Sequence, residues 1–461
     1  MSLYNPAPMR RLLLALLMTV ASVGARAEEE LQFWHAMDGA LGEALQALVQ
    51  RFNATERNVR VTPVFKGGYD ATLREAIEAQ RAGRGPHLVQ IYELATAEMM
   101  AQRALFRPVS QVLAEGGERI DTKAFVPAAA GYFADGAGQL LALPFNLSTP
   151  ILYYSKAAFR KANLDPERAP KTWYEMPKAM GELVTAGFEC VYTTTWPSWV
   201  QVENMSTWHH QDFATRENGL IGLDAKLTFN THLMIRHVSM LSSWARSGYF
   251  TYSGRAIEGE RRFARGECAM LTASSASYAE LQRALGADLG VAGLPYYDDV
   301  RGAPHHSLIG GAGLWAMAGK KPAEYRAMAR FLAWLTRPDV QAEWHQRTGY
   351  VPLTRAAYEQ TAQKGFYATH PGYEIAIRQL LLNQPTRESR GIRLGAFPQI
   401  RGIIEEELEA VWDGRKPPKL ALDNAAERGN ELLRRFEAEF GAAKGGAPKA
   451  APGRPAAREK R

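Results

Sequence analysis

Three short apolar stretches alternate with amphipathic ones in the first hundred residues, and this order restricts the fold more than any other feature of the chain. Leu31 to Ala36, Val59 to Phe65 and His87 to Glu93 read as strands. Between the first two, Leu41, Leu45, Leu48, Val49 and Phe52 fall at helical spacing and give one apolar face. Ala71 to Arg81 reads as a second helix, closed by the breakers Gly83 and Gly85, and a third runs through Met99 and Met100. A βαβαβ order of this kind predicts a parallel sheet with covering helices.

A second set of α/β units follows. Leu140 to Pro144 and Pro150 to Ser155 read as short strands around a turn at Asn146-Leu147-Ser148-Thr149. Lys171 to Ala186 reads as a helix, 188–194 as a strand, 231–246 as a long helix, 268–272 as a strand and Ser274 to Leu285 as a helix. Leu289 to Pro295 and Leu308 to Met317 are strands again, and Lys321 to Phe440 is almost wholly helical. A chain of 461 residues is too long for one compact core. Two α/β lobes joined by crossing strands, followed by a helical layer, predict a cleft at the carboxyl ends of the strands.

The two ends of the chain read differently from its body. Arg10 and Arg11 precede an apolar run from Leu12 to Gly24, and Ala25-Arg26-Ala27 follows with a small-x-small pattern. The run is too short to span a bilayer comfortably, so 1–27 is expected to be a cleaved export signal, with the mature chain starting at Glu28. No later segment is apolar enough to cross a membrane. Residues 442–461 are Ala, Gly, Pro, Lys and Arg with one Glu, a composition that buries no core and predicts a disordered basic tail. The leader carries +3 and the tail +5 of a total of +7, which leaves the body, 28–441, at −1. A nearly neutral body argues against a nucleic-acid-binding surface. Export also permits a bond between Cys190 and Cys268, each at the start of a strand. Two buried thiols remain the alternative, and the even count favours the bridge.

Enzyme motifs are missing: there is no Gly-x-Ser-x-Gly elbow, no Walker A loop and no His-Glu-x-x-His. His209-His210 and His305-His306 read as loop histidines, and Glu405 to Glu407 as the solvated face of a charged helix. Aromatic and small polar residues stand instead at strand ends. They are Lys66-Gly67-Gly68-Tyr69, Tyr92-Glu93, Ser274-Ser275 and Gly310-Gly311, with Trp196 and Trp199 in a loop. Glycine within a strand pattern permits close approach of a backbone or a ligand.

At these residues the chain resembles the periplasmic glycerol-3-phosphate-binding proteins of ABC import systems, within the larger maltose-binding-like family. The resemblance runs from about Phe33 to about Glu437. It is carried by Phe33-Trp-His-Ala-Met-Asp-Gly, Lys66-Gly-Gly-Tyr69, Gln90-Ile-Tyr-Glu93, Pro144-Phe-Asn-Leu-Ser-Thr-Pro150 and Trp196-Pro-Ser-Trp-Val-Gln-Val-Glu-Asn204. It continues through Thr272-Ala-Ser-Ser275, Ile309-Gly-Gly311, Glu343-Trp-His-Gln-Arg-Thr-Gly-Tyr350 and Arg393-Leu-Gly-Ala-Phe-Pro-Gln-Ile-Arg401. Leu147 stands where a serine is usual, and Asp38 where a glutamate is usual.

The resemblance implies a two-lobed periplasmic binding protein fold of the α/β class, with hinge strands and a helical C-terminal layer. Expected lobes are 28–144 with 289–336, and 145–288 with 337–441. It further implies that Tyr69, Glu93, Ser148, Ser274, Gly311, Tyr350 and Arg401 contact the ligand, with Trp196 and Trp199 lining the cleft. Arg401 would supply a planar fork for a phosphate, and Ser274 the start of a helix that favours an anion. Glu93 would hold glycerol hydroxyls at the opposite end. Tyr69, Glu93 and Gly311 would belong to the first lobe, and Trp196, Ser274, Tyr350 and Arg401 to the second. Taken alone, Arg401 would pair with Glu405 on its own helix and Ser274 would be an N-cap.

The function so implied is capture of glycerol-3-phosphate, or of glycerophosphodiesters such as glycerophosphocholine, by a periplasmic monomer. Its partners would be the permease and ATPase subunits of an ABC importer, with no cofactor, no metal and no nucleic acid. A sugar receptor of the same fold is the alternative, and a glycerophosphodiester hydrolase a weaker one.

Overall fold

The computed structural model describes residues 28–441. The expected export signal and basic tail lie outside the described residues.

Two sheets organise the chain. The first has the order β2-β1-β3-β10-β4, with β5 also paired to β10. Its strands are β1 (Glu29–His35), β2 (Val59–Phe65), β3 (Leu88–Tyr92), β4 (Phe106–Arg107), β5 (Leu143–Ser148) and β10 (Gly310–Met317). β1 runs parallel to β2 and to β3, as the βαβαβ order predicts, whereas β10 is antiparallel to β3, β4 and β5. The helix Gly39–Thr55 buries Ala44, Leu45, Leu48, Val49 and Phe52, the face read from the spacing. The helix Pro322–Leu335 packs on β1 and on Val109–Gly116.

The second sheet has the order β7-β8-β6-β9. It is built from β6 (Pro150–Ser155), β7 (Cys190–Thr194), β8 (Cys268–Ser274) and β9 (Leu289–Ala292). β7 and β8 are parallel with Cys190 directly opposite Cys268, and the two are joined by a disulfide with their Cα atoms 4.5 Å apart.

Several expected boundaries move. The turn read at Asn146 to Thr149 is the end of β5, and the chain passes from one sheet to the other at Thr149 rather than between 144 and 145. β9 pairs with β6 of the second sheet, so 289–292 does not join the first lobe, and the return crossing lies between β9 and β10. The helical C-terminal part is shared between the lobes. Pro338–Thr348 packs on Gly39–Thr55 of the first, where Arg51 is hydrogen-bonded to Asp339 and paired with Glu343. Gly372–Leu381 packs on β6 and β9, while Phe397–Trp412 and Pro418–Phe440 pack on each other and on His232–Arg246. Apolar periodicity shows that these segments are helices but not which sheet each covers.

The crossing is held by a buried polar node. Thr149 N–H donates to Ser275 Oγ at 3.4 Å, and Ser275 N–H donates to Thr149 O at 3.0 Å. Thr149 Oγ1 donates to Ser307 Oγ at 2.7 Å, and Gln379 Nε2 donates to Pro150 O at 2.9 Å. Both crossings are thereby tied to one helix.

The bridge between β7 and β8 closes a sequence separation of 78 residues. Replacing both cysteines by alanine should lower stability by about 2–4 kcal/mol through the freed unfolded chain. Urea unfolding of the variant and of the oxidised protein measures this; coincident midpoints would show that the bridge contributes nothing.

Candidate functional site

The expected ligand residues converge where the two sheets face each other. On the first sheet, β5 and β10 pair with Ser148 opposite Gly310 and Leu147 opposite Gly311. Gly311 has φ +109°, and a Cβ there would lie 1.8 Å from the Asn146 carbonyl oxygen, so backbone packing dictates glycine. Its amide donates to Glu93 Oε2 at 3.1 Å and is thus already engaged. Tyr69 opens the helix Tyr69–Arg81 and stacks on Tyr92 with the rings 5.3 Å apart. Its hydroxyl accepts from Asn146 Nδ2 at 3.0 Å, while Asn146 Oδ1 accepts from Gln90 Nε2 at 2.9 Å. Asn146 and Gln90 were not singled out from the sequence, although both lie within the quoted stretches.

Tyr350 belongs to this same wall, not to the second lobe as expected. Its ring stacks on Trp344, which stacks on Phe145 of β5, and the following Val351 N–H donates to Leu147 O at 2.8 Å. The preceding Gly349 has φ +79°, and a Cβ there would lie 2.7 Å from Ser275 O, so the two lobes touch at this point. Burial pushes the Tyr350 phenol up to about 12, which keeps it a neutral donor.

The second lobe contributes Ser274 and Trp199. Ser274 Oγ accepts from the Ala276 N–H at 3.1 Å, and a short turn, Ser275–Ser277, precedes the helix Tyr278–Leu285. The hydroxyl therefore acts as the cap of that turn. Trp199 is buried, and its ring lies against β10, where a Cβ on Gly310 would meet Cζ2 at 2.6 Å. It forms a small apolar cluster with Val200, Trp208 and Leu294, flanked by the half-buried Trp196.

Arg401 is at the centre. It lies in the first turns of the helix Phe397–Trp412, and its side chain is 11 % exposed. Nε donates to Glu203 Oε1 at 2.8 Å and Nη2 to Glu203 Oε2 at 2.7 Å. Nη2 is also 3.6 Å from Glu93 Oε1. The partner is therefore Glu203, not Glu405, and Glu93 and Arg401 are neighbours rather than the holders of opposite ends. A buried guanidinium demands carboxylates within reach, and the cleft supplies one from each lobe. Glu203 is itself buried and accepts from Ser198 Oγ at 2.9 Å.

Burial alone would lower the Arg401 pKa; Glu203, with Glu93 and Glu405 behind it, outweighs that and holds the guanidinium above its ordinary value. Burial pushes Glu93 up to about 7 against the pull of Arg401, and does the same to Glu405 against Arg401 and Arg255. Glu405 and Glu407 are buried rather than solvated, Glu407 being paired with Lys416 and Arg428. His209 and His306 are buried and held by backbone hydrogen bonds. Among the described residues, no three His, Cys, Asp or Glu side chains are grouped to hold a metal ion.

Two α/β lobes with crossing strands are the architecture of a two-lobed solute receptor. The chain belongs to the bacterial extracellular solute-binding protein family, whose model matches residues 47–374. It is 47 % identical over 417 residues to the sn-glycerol-3-phosphate-binding periplasmic protein of Yersinia pseudotuberculosis, covering 90 % of this chain and 95 % of the relative. The protein of that name from Salmonella paratyphi A is 46 % identical over 431 residues, covering 93 % and 98 %. Among solved structures, UgpB from Mycobacterium tuberculosis in complex with glycerophosphocholine matches with a TM-score of 0.73 at 23 % identity, covering 89 % of this chain and 99 % of that one. The cyclic alpha-maltosyl-1,6-maltose binding protein from Arthrobacter globiformis matches at 0.71 and 20 %, covering 89 % and 100 %. These two likenesses establish the maltose-binding-like fold.

The Glu93 carboxyl, ordinarily near 4.5, binds its proton more tightly in the folded protein than in the unfolded chain. Its stabilising contribution is therefore complete below 4.5 and is lost as pH rises through about 7. Glu93→Gln fixes the neutral shape and should remove on the order of 1–3 kcal/mol of the fall in stability between about pH 5 and pH 8. Urea unfolding across that range measures it, and parallel profiles for the two proteins would refute the assignment.

Proposed function

We propose that the protein is a periplasmic receptor that captures glycerol-3-phosphate, and glycerophosphodiesters such as glycerophosphocholine, for the permease and ATPase subunits of an ABC importer. The observation that carries this reading is the buried Arg401, fixed on one edge by Glu203 with its remaining N–H groups free to meet an anion in the cleft. The extended identity with receptors named for sn-glycerol-3-phosphate supports it.

In this reading Nη1 and the outer Nη2 hydrogen of Arg401 meet phosphate oxygens. The hydroxyls of Ser148 and Tyr350 donate to the same group, and Ser274 lies beside them as the cap of its turn. Glu93, near its midpoint at neutral pH, accepts from a glycerol hydroxyl when ionised and donates to a phosphate oxygen when neutral. Tyr69, Trp196 and Trp199 flank the carbon skeleton, and Gly311 lets Glu93 approach the strand. The protein acts as a monomeric receptor rather than an enzyme, with no nucleic-acid partner. The two lobes close on ligand because a molecule touching both favours the closed form.

Titration calorimetry with glycerol-3-phosphate, glycerol and maltose tests the ligand class. Binding of the phosphoester alone is expected; tight maltose binding without phosphoester binding would overturn the reading in favour of a sugar receptor.

Arg401→Ala should weaken phosphoester binding by about 2–4 kcal/mol, and Arg401→Lys should recover part of this because a point charge lacks the second N–H edge. Unchanged affinity in Arg401→Ala would remove the arginine from the site.

A further inference from the structure

The phosphoester reading leaves Glu203 without a role, and its placement gives it one. Glu203 is 2 % exposed and takes both acceptor positions on the Nε–Nη2 edge of Arg401. Ser198 fixes its Oε1 from the other side at 2.9 Å. Within 4 Å, the ion pairs of both Glu203 and Glu93 run to Arg401 and to no other cation among the described residues. One helical turn further on, Glu405 is buried, and beyond it Glu409 is bound by Arg255 and by Tyr252 at 2.7 Å. Among the described residues the guanidinium paired with Glu93 is therefore that of Arg401, and Glu203 in direct contact already matches its charge.

The consequence concerns how much negative charge a ligand can bring. A phosphodiester carries one negative charge, whereas a phosphomonoester carries close to two above its second ionisation near pH 6. Uncompensated charge in a water-poor cleft is costly, and the second charge of a monoester meets a guanidinium that Glu203 has already neutralised. We propose that Glu203 sets the ligand charge that the site accepts, acting through Arg401 to disfavour the dianion relative to the monoanion. It is a specificity-determining residue that need not touch the ligand. The proposal rests on the phosphoester reading given above.

The test compares glycerol-3-phosphate with its methyl ester, a diester of the same skeleton that differs by one methyl group and one charge. Both are titrated calorimetrically at about pH 7.5 into the unaltered protein and into Glu203→Gln, Glu203→Asp and Ser198→Ala. Glu203→Gln is expected to shift the affinity ratio toward the monoester on the order of tenfold. Glu203→Asp and Ser198→Ala keep the charge and loosen its placement, so they should weaken both ligands while leaving the ratio unchanged. At about pH 5 the monoester regains its second proton and the Glu203→Gln shift should shrink. Titration of Glu93 and Glu405 over that range shifts the ratio as well, in the unaltered protein and in Glu203→Gln alike, so the readout is the difference between the two proteins at each pH. An unchanged ratio in Glu203→Gln, or the same ratio change in Glu203→Asp, would overturn the proposal and leave Glu203 as a support for Arg401. If neither compound binds the unaltered protein, it is the phosphoester reading that fails.

Discussion

A guanidinium removed from water has to be neutralised where it stands, and the cleft is organised around meeting that demand for Arg401. Its helix Phe397–Trp412 packs on His232–Arg246 of the second lobe and on the turn Glu93–Ala95 of the first, and the segment that carries Glu203 is tied to the second by Gln201, whose amide donates to the Tyr192 and Thr194 hydroxyls. Glu93 comes from the end of β3 in the first. The shorter contacts, at 2.8 and 2.7 Å, therefore lie within one lobe, and the longer one, at 3.6 Å, crosses between them. The arginine is secured from within its own lobe, and its link across the cleft is the longer one.

Around that centre, several residues do work that is steric rather than polar. Gly311 has to lack a side chain because the Asn146 carbonyl lies where Cβ would be, and this closeness brings its amide to Glu93. Gly310 has to lack one because Trp199 lies there. Gly349 leaves room for the Ser275 carbonyl, so the strand-end loops of the two lobes meet backbone to backbone. The same Ser275 anchors Thr149 at the crossing. The crossing and the facing ends of the two lobes thus share Ser275.

Much of this was legible in the sequence, and the failures share a cause. The period of the helix Gly39–Thr55 and the limits of β2 followed from apolar spacing, because burial of one face is a local property. Lobe membership did not follow. β9 was expected in the first lobe and lies in the second, and Tyr350 was expected in the second and stacks against the first, because partner choice between sheets depends on contacts distant in sequence. The candidate site residues came from resemblance, not from spacing. Glu203 lay inside a quoted stretch yet drew no attention: a lone acid among apolar residues says nothing until its arginine, 198 positions away, is seen beside it. Glu405 and Glu407 misled for the same reason, since a run of carboxylates reads as a wet face unless the cations that cover it are known.

The loose link across the cleft bears on how ligand binding and closure are coupled. A ligand shifts a two-state equilibrium only by its differential affinity for the two states. The lobes meet where Gly349 lies against the Ser275 carbonyl and Gly310 against the Trp199 ring, through hydrogen bonds from Arg393 Nη2 to the Tyr132 and Ala134 carbonyls at 2.8 Å, and through the Glu93–Arg401 pair at 3.6 Å. A strong Glu93–Arg401 bond would hold the lobes together without ligand and leave little for a ligand to add. A pair at 3.6 Å is a weaker link, and burial, which raises the Glu93 pKa, weakens it further. In the proposed reading a phosphate oxygen at Nη2 or Nη1, on a molecule that also reaches Glu93, would turn this contact into charge-assisted hydrogen bonds that involve both lobes. In the proposed reading the differential affinity for closure is concentrated at Arg401, which Glu203 orients.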